Sequence, residues 1–265
     1  MFTPNIPASK VAGLIGLNQY QNAREIMFDL MMKDSSLKVK LEEIIKTNNR
    51  SSLSKMKREI LQDQDIAAIV GSAVRQTNGL SDIKPVLDDT ESSARTALSL
   101  RHPSMSPAVR EIMVSEIRGA VGRRRGNNNE NAGLDAYAAV NEVVVQDRNT
   151  KTFKKSYDGF DLNGRPDGYV ASLNRIVDTK ERTRWWPKVP IYDEVQLRVY
   201  MELTGAQDSD LNEVFPDGRR RQTNFKNDPE KWQVLQSGIV SAVKTIHETI
   251  ADPDQLRDLV FANTV

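Results

Sequence analysis

Apolar residues recur at the three- to four-residue spacing of a helix through most of the first half of the chain, which predicts that this half is helical. The stretches predicted as helices are 8–33 (as two short helices), 36–75, 91–100 and 107–122. An Asn-Gly pair and a proline interrupt this pattern, so we expect a loop over 76–90. We expect one domain, 1–265, with a helical insertion over 34–122.

The pattern changes after residue 126. A helix is predicted over 127–141, and short β-branched or alternating runs then predict strands. The predicted strands are 142–147, 151–156, 166–172 and 175–180. The elements predicted after them are a helix over 191–204, a hairpin turning at 216–218, and helices over 228–250 and 253–262. The expected fold class is α+β, with one mixed sheet flanked by helices.

The amino-acid composition excludes several kinds of catalytic and metal-binding chemistry. The 265 residues include no cysteine and two histidines, which excludes disulfides, thiol catalysis and cysteine-ligated zinc. Hydrophobic residues make up 38% and charged residues 28%, as in soluble globular proteins. We find no membrane-spanning run and no secretory signal, so we expect a cytoplasmic or nuclear protein without a membrane partner. With a net charge of +1, any surface for nucleic acid must be a local one.

Two carboxylates and a lysine fall on two predicted strands that follow one another in the chain. Asp167 begins the first strand, and Asp178 and Lys180 lie on the second. Their spacing of two places the Asp178 and Lys180 side chains on the same face of that strand. Gly168 permits a close approach of the backbone beside Asp167. A turn at residues 173–174 would bring the two carboxylates together.

Hydrolysis of a phosphodiester bond requires this combination of groups. Carboxylate oxygens, a backbone carbonyl and water are the ligands that hard divalent cations prefer, so we expect Mg²⁺, with Mn²⁺ as a substitute. The carbonyl of Thr179 is a candidate additional ligand. Lys180 would position the attacking water or stabilise the charge that develops on the phosphate. The alternative for the same residues is a polar hairpin with a surface ion pair.

Four ordered motifs resemble those of the YqaJ-type viral recombination nucleases, the family of lambda exonuclease in the PD-(D/E)xK superfamily. They are Gly126-xxx-Glu130, Arg165-Pro166-Asp167-Gly168, Asp178-x-Lys180 and Gln196-xxx-Tyr200. Residues 8–20 resemble the opening segment of that family, and the MELTG sequence after Tyr200 resembles it as well. Residues 34–122 match no part of it that we can name.

The resemblance implies a restriction-endonuclease-like core and digestion of double-stranded DNA from an end in the 5′ to 3′ sense, in viral or phage recombination within a host cell. It assigns metal binding to Asp167 and Asp178, and the nucleophilic water to Lys180. Glu130 would support the metal directly or through water. Gln196 would orient Lys180 or the DNA backbone. A homotrimer and a single-strand annealing protein are the partners that the resemblance suggests.

Candidate DNA-binding residues are basic or aromatic groups near the motifs, together with one serine. They are Ser9, Arg125, Arg165, Arg182, Arg184, Trp185 and Tyr200. In the family, the position of Ser9 helps to hold a terminal 5′-phosphate, and Arg165 stands where a second serine is found. Trp185 and Trp186 would stack on bases or separate strands, with packing beneath a proline loop as the alternative.

Two other functions remain open at this stage. One is a structure-selective or nicking endonuclease. It is favoured because the family often has a Trp…Arg segment before the position of Ala8, and the seven residues before Ala8 do not contain it. The other is a non-catalytic DNA-binding protein with a nuclease-like fold. The intact set of Asp167, Asp178 and Lys180 argues against this second alternative.

Overall fold

The computed structural model describes residues 2–80 and 82–265. Its helices are α1 (Ala8–Leu14), α2 (Ala23–Met31), α3 (Ser35–Thr47), α4 (Leu53–Gln62), α5 (Gln64–Gln76), α6 (Lys84–Arg101), α7 (Pro107–Asn141), α8 (Ile191–Thr204), α9 (Pro229–Ala251) and α10 (Pro253–Ala262). Its strands are β1 (Asn5–Pro7), β2 (Phe153–Tyr157), β3 (Phe160–Gly164), β4 (Gly168–Val170), β5 (Arg175–Glu181), β6 (Asp208–Val214) and β7 (Arg220–Lys226). None of the described helices is both long and apolar enough to cross a membrane.

The strands form two mixed sheets. The larger sheet has the order β4-β5-β6-β7, with β5 and β6 parallel and the other pairs antiparallel. The smaller sheet has the order β1-β3-β2, with β1 parallel to β3. The α+β class with helices flanking mixed sheets is confirmed, but the prediction of a single sheet was wrong. The first strand of the smaller sheet comes from the N-terminal half of the chain, so local sequence did not show this pairing.

Helices cover both faces of the larger sheet. Ile176 of β5 and Leu211 of β6 point into the main core, which also contains Val199 of α8. On the opposite face, Val177 packs with Leu134 and other residues of α7. Burying each such aliphatic side chain contributes about 1.5–3 kcal/mol. The alternating pattern of β5 therefore fixes which residues face α7 and which face α8.

The helices α4, α5 and α6 and the first part of α7 enclose a separate hydrophobic cluster. Its fully buried members include Leu98, Met113 and Ile117. The second part of α7 continues onto the larger sheet. One helix thus connects the helical half to the sheet, whereas α3 packs on the main core through Leu41. The division of the chain into one domain with an insertion over 34–122 stays a prediction.

The helices of the second half begin and end where local signals place them. Asp228 caps α9 by accepting hydrogen bonds from the backbone N–H groups of Glu230 and Lys231. Helix α8 has Asp193 and Glu194 in its first turn, where carboxylates interact well with the helix dipole. It ends at Gly205, whose positive φ of 74° suits a residue without a Cβ. The predictions for α8, α9 and α10 are confirmed.

Several local predictions were wrong. The loop expected over 76–90 is shorter, because α6 already begins at Lys84; Ser81 lies outside the described residues. The helices predicted over 107–122 and 127–141 are one continuous helix, α7. Residues 142–147 form no strand and make a single bridge, from Gln146 to Tyr169. Strand β3 was not predicted, because its Asn-Gly pair resembles a turn.

Candidate active site

The larger sheet brings the two predicted carboxylates together. Strands β4 and β5 are antiparallel, with Gly168 opposite Val177. The next pair along this register is Asp167 and Asp178, at the end of the ladder. The backbone N–H of Thr179 donates a hydrogen bond of 2.8 Å to Oδ2 of Asp167. The convergence that the sequence predicted is therefore present in the structure.

Asp178 is a buried carboxylate without ordinary hydrogen-bond partners. It is 1% exposed, and neither of its side-chain oxygens accepts a well-oriented hydrogen bond within the described residues. Its nearest cation is Lys180, whose Nζ lies 2.9 Å from Oδ2 of Asp178. Burying a carboxylate is costly unless a cation compensates for it. These oxygens are therefore ready to bind a further positive group.

Asp167 is also buried, and its environment disfavours its charged form. Burial and the neighbouring charge of Asp178 raise the pKa of Asp167 to about 8, although Lys180 and the N–H of Thr179 act in the opposite direction. Two carboxylates that share one site repel each other, and a cation between them removes that repulsion. Perturbed acids of this kind occur most often at functional sites.

Lys180 is held as an ammonium group by the same carboxylates. Burial alone would lower the pKa of Lys180, but the attraction of Asp178 and Asp167 outweighs burial and raises it above its ordinary value. The side chain keeps 27% of its surface exposed, and its ammonium group lies beside Asp178. Its three N–H donors can therefore meet a ligand that approaches the two carboxylates.

Glu130 approaches the site from α7 and lies in the interior of that helix. The expected place near a helix N-terminus was wrong, because α7 continues through residues 122–130. Asn149 Nδ2 donates a 3.0 Å hydrogen bond to Oε2 of Glu130. Burial raises the pKa of Glu130, with a smaller contribution from Asp178, against the opposing effects of Lys180 and Arg165. The pKa of Glu130 therefore depends on the charges of Lys180 and Asp178.

The side chains present fit a hard divalent cation. The donor set is Asp167, Asp178 and the Thr179 backbone carbonyl, and the buried oxygens of Asp178 lack other partners. Within residues 2–80 and 82–265, no group of three or more Asp, Glu, His or Cys side chains is arranged to hold a metal ion. The structure thus gives no support for Glu130 as a direct third carboxylate ligand. Its expected contact through water stays a prediction.

The fourth motif, Gln196-xxx-Tyr200, lies on α8. Gln196 Nε2 donates a 2.7 Å hydrogen bond to the Tyr200 hydroxyl one turn further along α8. Tyr200 is 5% exposed and packs against Gly164, where an added Cβ would lie 2.7 Å from Cε1 of the tyrosine. The ring is enclosed by protein, which disfavours direct contact with DNA, so the assignment of Tyr200 to DNA stays a prediction. Its contact instead holds Gln196 in place.

Two of the predicted phosphate-binding arginines are buried in ion pairs. Arg125 is 6% exposed and pairs with Glu181 at 2.5 Å. Arg182 is 8% exposed and pairs with Asp193 at 2.6 Å and with Glu213 at 2.7 Å. These guanidinium groups already neutralise protein carboxylates, which disfavours contact with a phosphate; their assignment to DNA stays a prediction. They tie α7, α8 and β6 to the end of β5.

Ser9 and Arg165 lie at one edge of the smaller sheet. The parallel register places Pro7 beside Asn163, so the chain segments carrying Ser9 and Arg165 leave the sheet at the same end. Both side chains are exposed. Arg165 precedes Asp167 by two residues and exerts an attraction on Glu130. Their assignment to a DNA phosphate stays a prediction that this placement permits.

The remaining predicted contacts are on the segment after β5. Arg184 is exposed, and its Cζ lies 4.1 Å from the centre of the Trp186 ring. Trp185 is 41% exposed and lies 4.5 Å from Phe215, ring centre to ring centre. Trp185 thus packs on an aromatic ring and Trp186 on a guanidinium group; packing beneath the proline loop stays an alternative. Trp185 also remains open to solvent.

Sequence reasoning missed Asn149 and Asp193. Asn149 has a left-handed backbone with φ of 52°, and its N–H donates a 3.0 Å hydrogen bond to the Asp167 carbonyl while its side chain holds Glu130. Asp193 lies on the first turn of α8 and its charge acts on Lys180. The Asp-Arg-Asn-Thr turn that contains Asn149 was a visible signal, but many surface turns share that composition.

No protein-family model matches the chain, and no curated protein matches it by sequence. Solved structures with a similar fold include a phage-related exonuclease from Haemophilus somnus 129PT, at 16% identity and a TM-score of 0.42, covering 49% of this chain and 72% of that one. They also include an alkaline exonuclease, LHK-Exo, from Laribacter hongkongensis, at 17% identity and a TM-score of 0.42, covering 60% of this chain and 88% of that one. The complex of LHK-Exo with dAMP aligns at 16% identity, with a TM-score of 0.43 and the same coverage.

Proposed function

We propose that the protein is a metal-dependent deoxyribonuclease that hydrolyses phosphodiester bonds of double-stranded DNA. The observation that carries this proposal is the convergence of Asp167, Asp178 and Lys180 at the end of the β4–β5 ladder, with the Asp178 oxygens buried and without hydrogen bonds. Two carboxylates and one ammonium group leave a negative site that accepts a divalent cation. The ammonium group of Lys180 adds a donor for the substrate.

Each residue has a distinct task in this mechanism. Asp167 and Asp178 would hold Mg²⁺, or Mn²⁺ in its place, with the Thr179 carbonyl as a further oxygen ligand. When bound, such an ion neutralises phosphate charge and lowers the pKa of a bound water. Lys180 donates hydrogen bonds to the attacking water or to a phosphate oxygen, where charge develops in the transition state. Glu130 and Gln196 orient these groups from α7 and α8.

We further propose digestion from a DNA end in the 5′ to 3′ sense, as the four motifs suggest. Ser9 and Arg165 would receive the terminal phosphate, because both leave the smaller sheet on the side from which the chain continues to Asp167. A homotrimer and a single-strand annealing protein are the partners we propose by the same resemblance. These finer proposals are separable from hydrolysis itself.

The test compares three DNA substrates with Mg²⁺ and with EDTA. They are a linear duplex labelled at its 5′-phosphate, the same duplex with 5′-hydroxyl ends, and a closed circular duplex. We expect Mg²⁺-dependent loss of the linear duplexes, faster with 5′-phosphate, and an intact circle. Cleavage of the circle would favour the endonuclease alternative. An Asp178→Asn variant that hydrolyses DNA as fast as wild type would refute the proposed mechanism. The matched control is Asp254→Asn, which replaces a carboxylate that is 81% exposed.

A further inference from the structure

The chain beyond the catalytic strand builds a surface in which arginine and tryptophan side chains alternate. We call it the Arg–Trp surface, formed by Arg184, Trp185, Trp186, Arg219 and Arg221. It is assembled from two separate segments, the connection after β5 and the hairpin of β6 and β7, with Arg219 in its turn and Arg221 on β7. These segments meet because β5 and β6 are parallel and end side by side, with Arg182 N–H donating a 2.8 Å hydrogen bond to the Val214 carbonyl.

Arginine side chains lie over both indole rings. Arg219 Cζ lies 4.1 Å and Arg221 Cζ 5.3 Å from the centre of the Trp185 ring. Arg184 Cζ lies 4.1 Å from the Trp186 ring. Trp185 rests on the buried ring of Phe215 and keeps 41% of its own surface exposed. The result is a set of flat π-faces and guanidinium planes at the protein surface.

Buried ion pairs hold this surface in place. Glu213, which is fully buried, accepts hydrogen bonds from Arg182 on one oxygen and from Arg221 on the other. Arg221 Nη1 also donates a 2.7 Å hydrogen bond to the Trp186 carbonyl. Arg182 reaches Asp193 on α8 as well. The tryptophan segment is therefore anchored to the sheet, so ordering it on binding costs little entropy.

The charge of the two segments is strongly positive. Residues 182–190 and 215–221 together contain six arginines or lysines and one acidic residue, Asp217, whereas the whole chain has a net charge of +1. Arg182 and Arg221 are neutralised by Glu213 and Asp193. The exposed cations are Arg184, Lys188, Arg219 and Arg220. Asp217 pairs with Arg219 at 2.6 Å, and both side chains remain substantially exposed. Such a local excess attracts a polyanion, and aromatic faces between the cations suit a polyanion that carries planar rings.

We propose that the Arg–Trp surface binds unpaired nucleotides of DNA by stacking of bases on Trp185, with the exposed Arg184 and Arg219 contacting the backbone. This inference rests on the proposed function for the identity of the polyanion. Trp185 is the fifth residue after Lys180, a distance of at most about 18 Å along an extended chain. A DNA strand that leaves the catalytic carboxylates therefore meets the surface within a few nucleotides. Paired bases inside a duplex do not offer their faces, which makes unpaired DNA the favoured ligand.

The experiment measures binding of a 20-nucleotide oligothymidylate and of a blunt duplex in EDTA, where hydrolysis is absent. Intrinsic fluorescence reports stacking on Trp185 and Trp186, and Trp232→Phe removes the contribution of the remote tryptophan on α9. We expect Trp185→Ala to weaken oligothymidylate binding by about 5- to 150-fold, the effect of losing one stacked base. Trp185→Tyr, which keeps an aromatic ring, should retain most of the affinity.

The basic part of the surface has a matched control elsewhere on the chain. Arg219 and Arg257 have side chains that are 53% and 52% exposed, and each pairs with one nearby aspartate. Arg219→Ala should weaken oligothymidylate binding several-fold and reduce its dependence on salt, whereas Arg257→Ala should change neither. Thermal melting of each variant establishes that it is folded.

The outcomes separate this inference from the proposed function. Unchanged oligothymidylate affinity in folded Trp185→Ala would overturn the inference, even if the protein hydrolyses DNA with Mg²⁺. An equal loss of affinity for the blunt duplex would also overturn it, because the surface would then bind duplex backbone. If Trp185→Ala loses affinity for oligothymidylate selectively while the wild type hydrolyses no DNA, the inference stands and the proposed function fails.

Discussion

Gly133 of α7 lies directly against Thr179 of β5, so closely that an added Cβ at Gly133 would overlap the Thr179 Cγ2 methyl group. The carbonyl of Gly133 also accepts a 3.0 Å hydrogen bond from Asn212 Nδ2 of β6. This contact sets the distance between the helix that carries Glu130 and the strand that carries Asp178 and Lys180. The geometry of the candidate active site therefore depends on a glycine outside the four motifs.

Two alanine substitutions in the same helix should have opposite effects on stability. Gly133→Ala should lower the free energy of unfolding by about 1–3 kcal/mol, because the new methyl group forces α7 away from β5. Gly126→Ala meets nothing within 4 Å and should raise it by about 0.5–1 kcal/mol through helix propensity. Urea unfolding of both variants provides the measurement. A stabilised Gly133→Ala would show that the helix can move away at no cost.

Replacement of Lys180 by glutamine should separate metal binding from hydrolysis. The two carboxylates remain, so Mg²⁺ should still raise the melting temperature of Lys180→Gln. DNA hydrolysis should fall by about 100-fold or more, because a donor to the developing charge is lost. Lys244→Gln, on an exposed lysine of α9, is the control. A variant that hydrolyses DNA at the wild-type rate would remove Lys180 from the mechanism.

Without metal, Asp167 should make the protein less stable as pH rises. Its pKa is about 8 in the folded protein against 3.8 for an ordinary aspartate, so the folded state binds this proton more tightly. The resulting stability is present below pH 4 and is lost progressively up to about pH 8. In EDTA, the free energy of unfolding of Asp167→Asn should therefore rise by about 1–3 kcal/mol relative to that of wild type between pH 5 and pH 8.

A second aspartate gives a contrast for that pH experiment. Hydrogen bonds from Lys154 and Ser156 lower the pKa of Asp161, so its contribution to stability is present above pH 4 and is lost on acidification. Asp161→Asn should thus be less stable than wild type above pH 4 and approach it on acidification, whereas Asp167→Asn should become more stable than wild type as pH rises. Unfolding curves at pH 3.5, 5 and 8 in EDTA measure both variants. Parallel pH profiles for the two would contradict the assignment.

Binding of Mg²⁺ should itself depend on pH. The ion must displace the proton that Asp167 holds below about pH 8, so affinity should increase from pH 6 to pH 8.5. At 10 mM Mg²⁺, the increase in melting temperature should accordingly be larger at pH 8.5 than at pH 6. Asp178→Asn should show little increase at either pH. Equal increases at both pH values in the wild type would exclude proton competition at this site.

Local signals were sufficient for the helices of the second half and for the catalytic strand. Asp228 and Pro229 mark the start of α9, and Gly205 marks the end of α8, because caps act on groups only a few residues away. The spacing of Asp178 and Lys180 required only the two-residue period of a strand. These are the parts of the site that chain order alone determines.

Long-range packing decided the remaining features. Two glycines and three asparagines among residues 122–129 predict an interruption of the helix, since each such residue costs about 0.5–1 kcal/mol in a helix. The helix nevertheless continues, because Arg125 pairs with Glu181 and Gly133 packs on Thr179, contacts across more than 40 residues of chain. The same contacts turn predicted DNA ligands into buried ion pairs.

The sequence by itself thus determined the candidate catalytic residues: two carboxylates and a lysine at the spacings of paired strands. Only the tertiary structure decided which arginine side chains are exposed and which are buried in ion pairs. It also decided that β1 pairs with β3 in a second sheet, and that Trp185 lies beside Arg219 and Arg221. The physical reason is that spacing along a strand or helix follows from backbone geometry. The burial of a charge depends instead on distant groups that meet only when the whole core is packed.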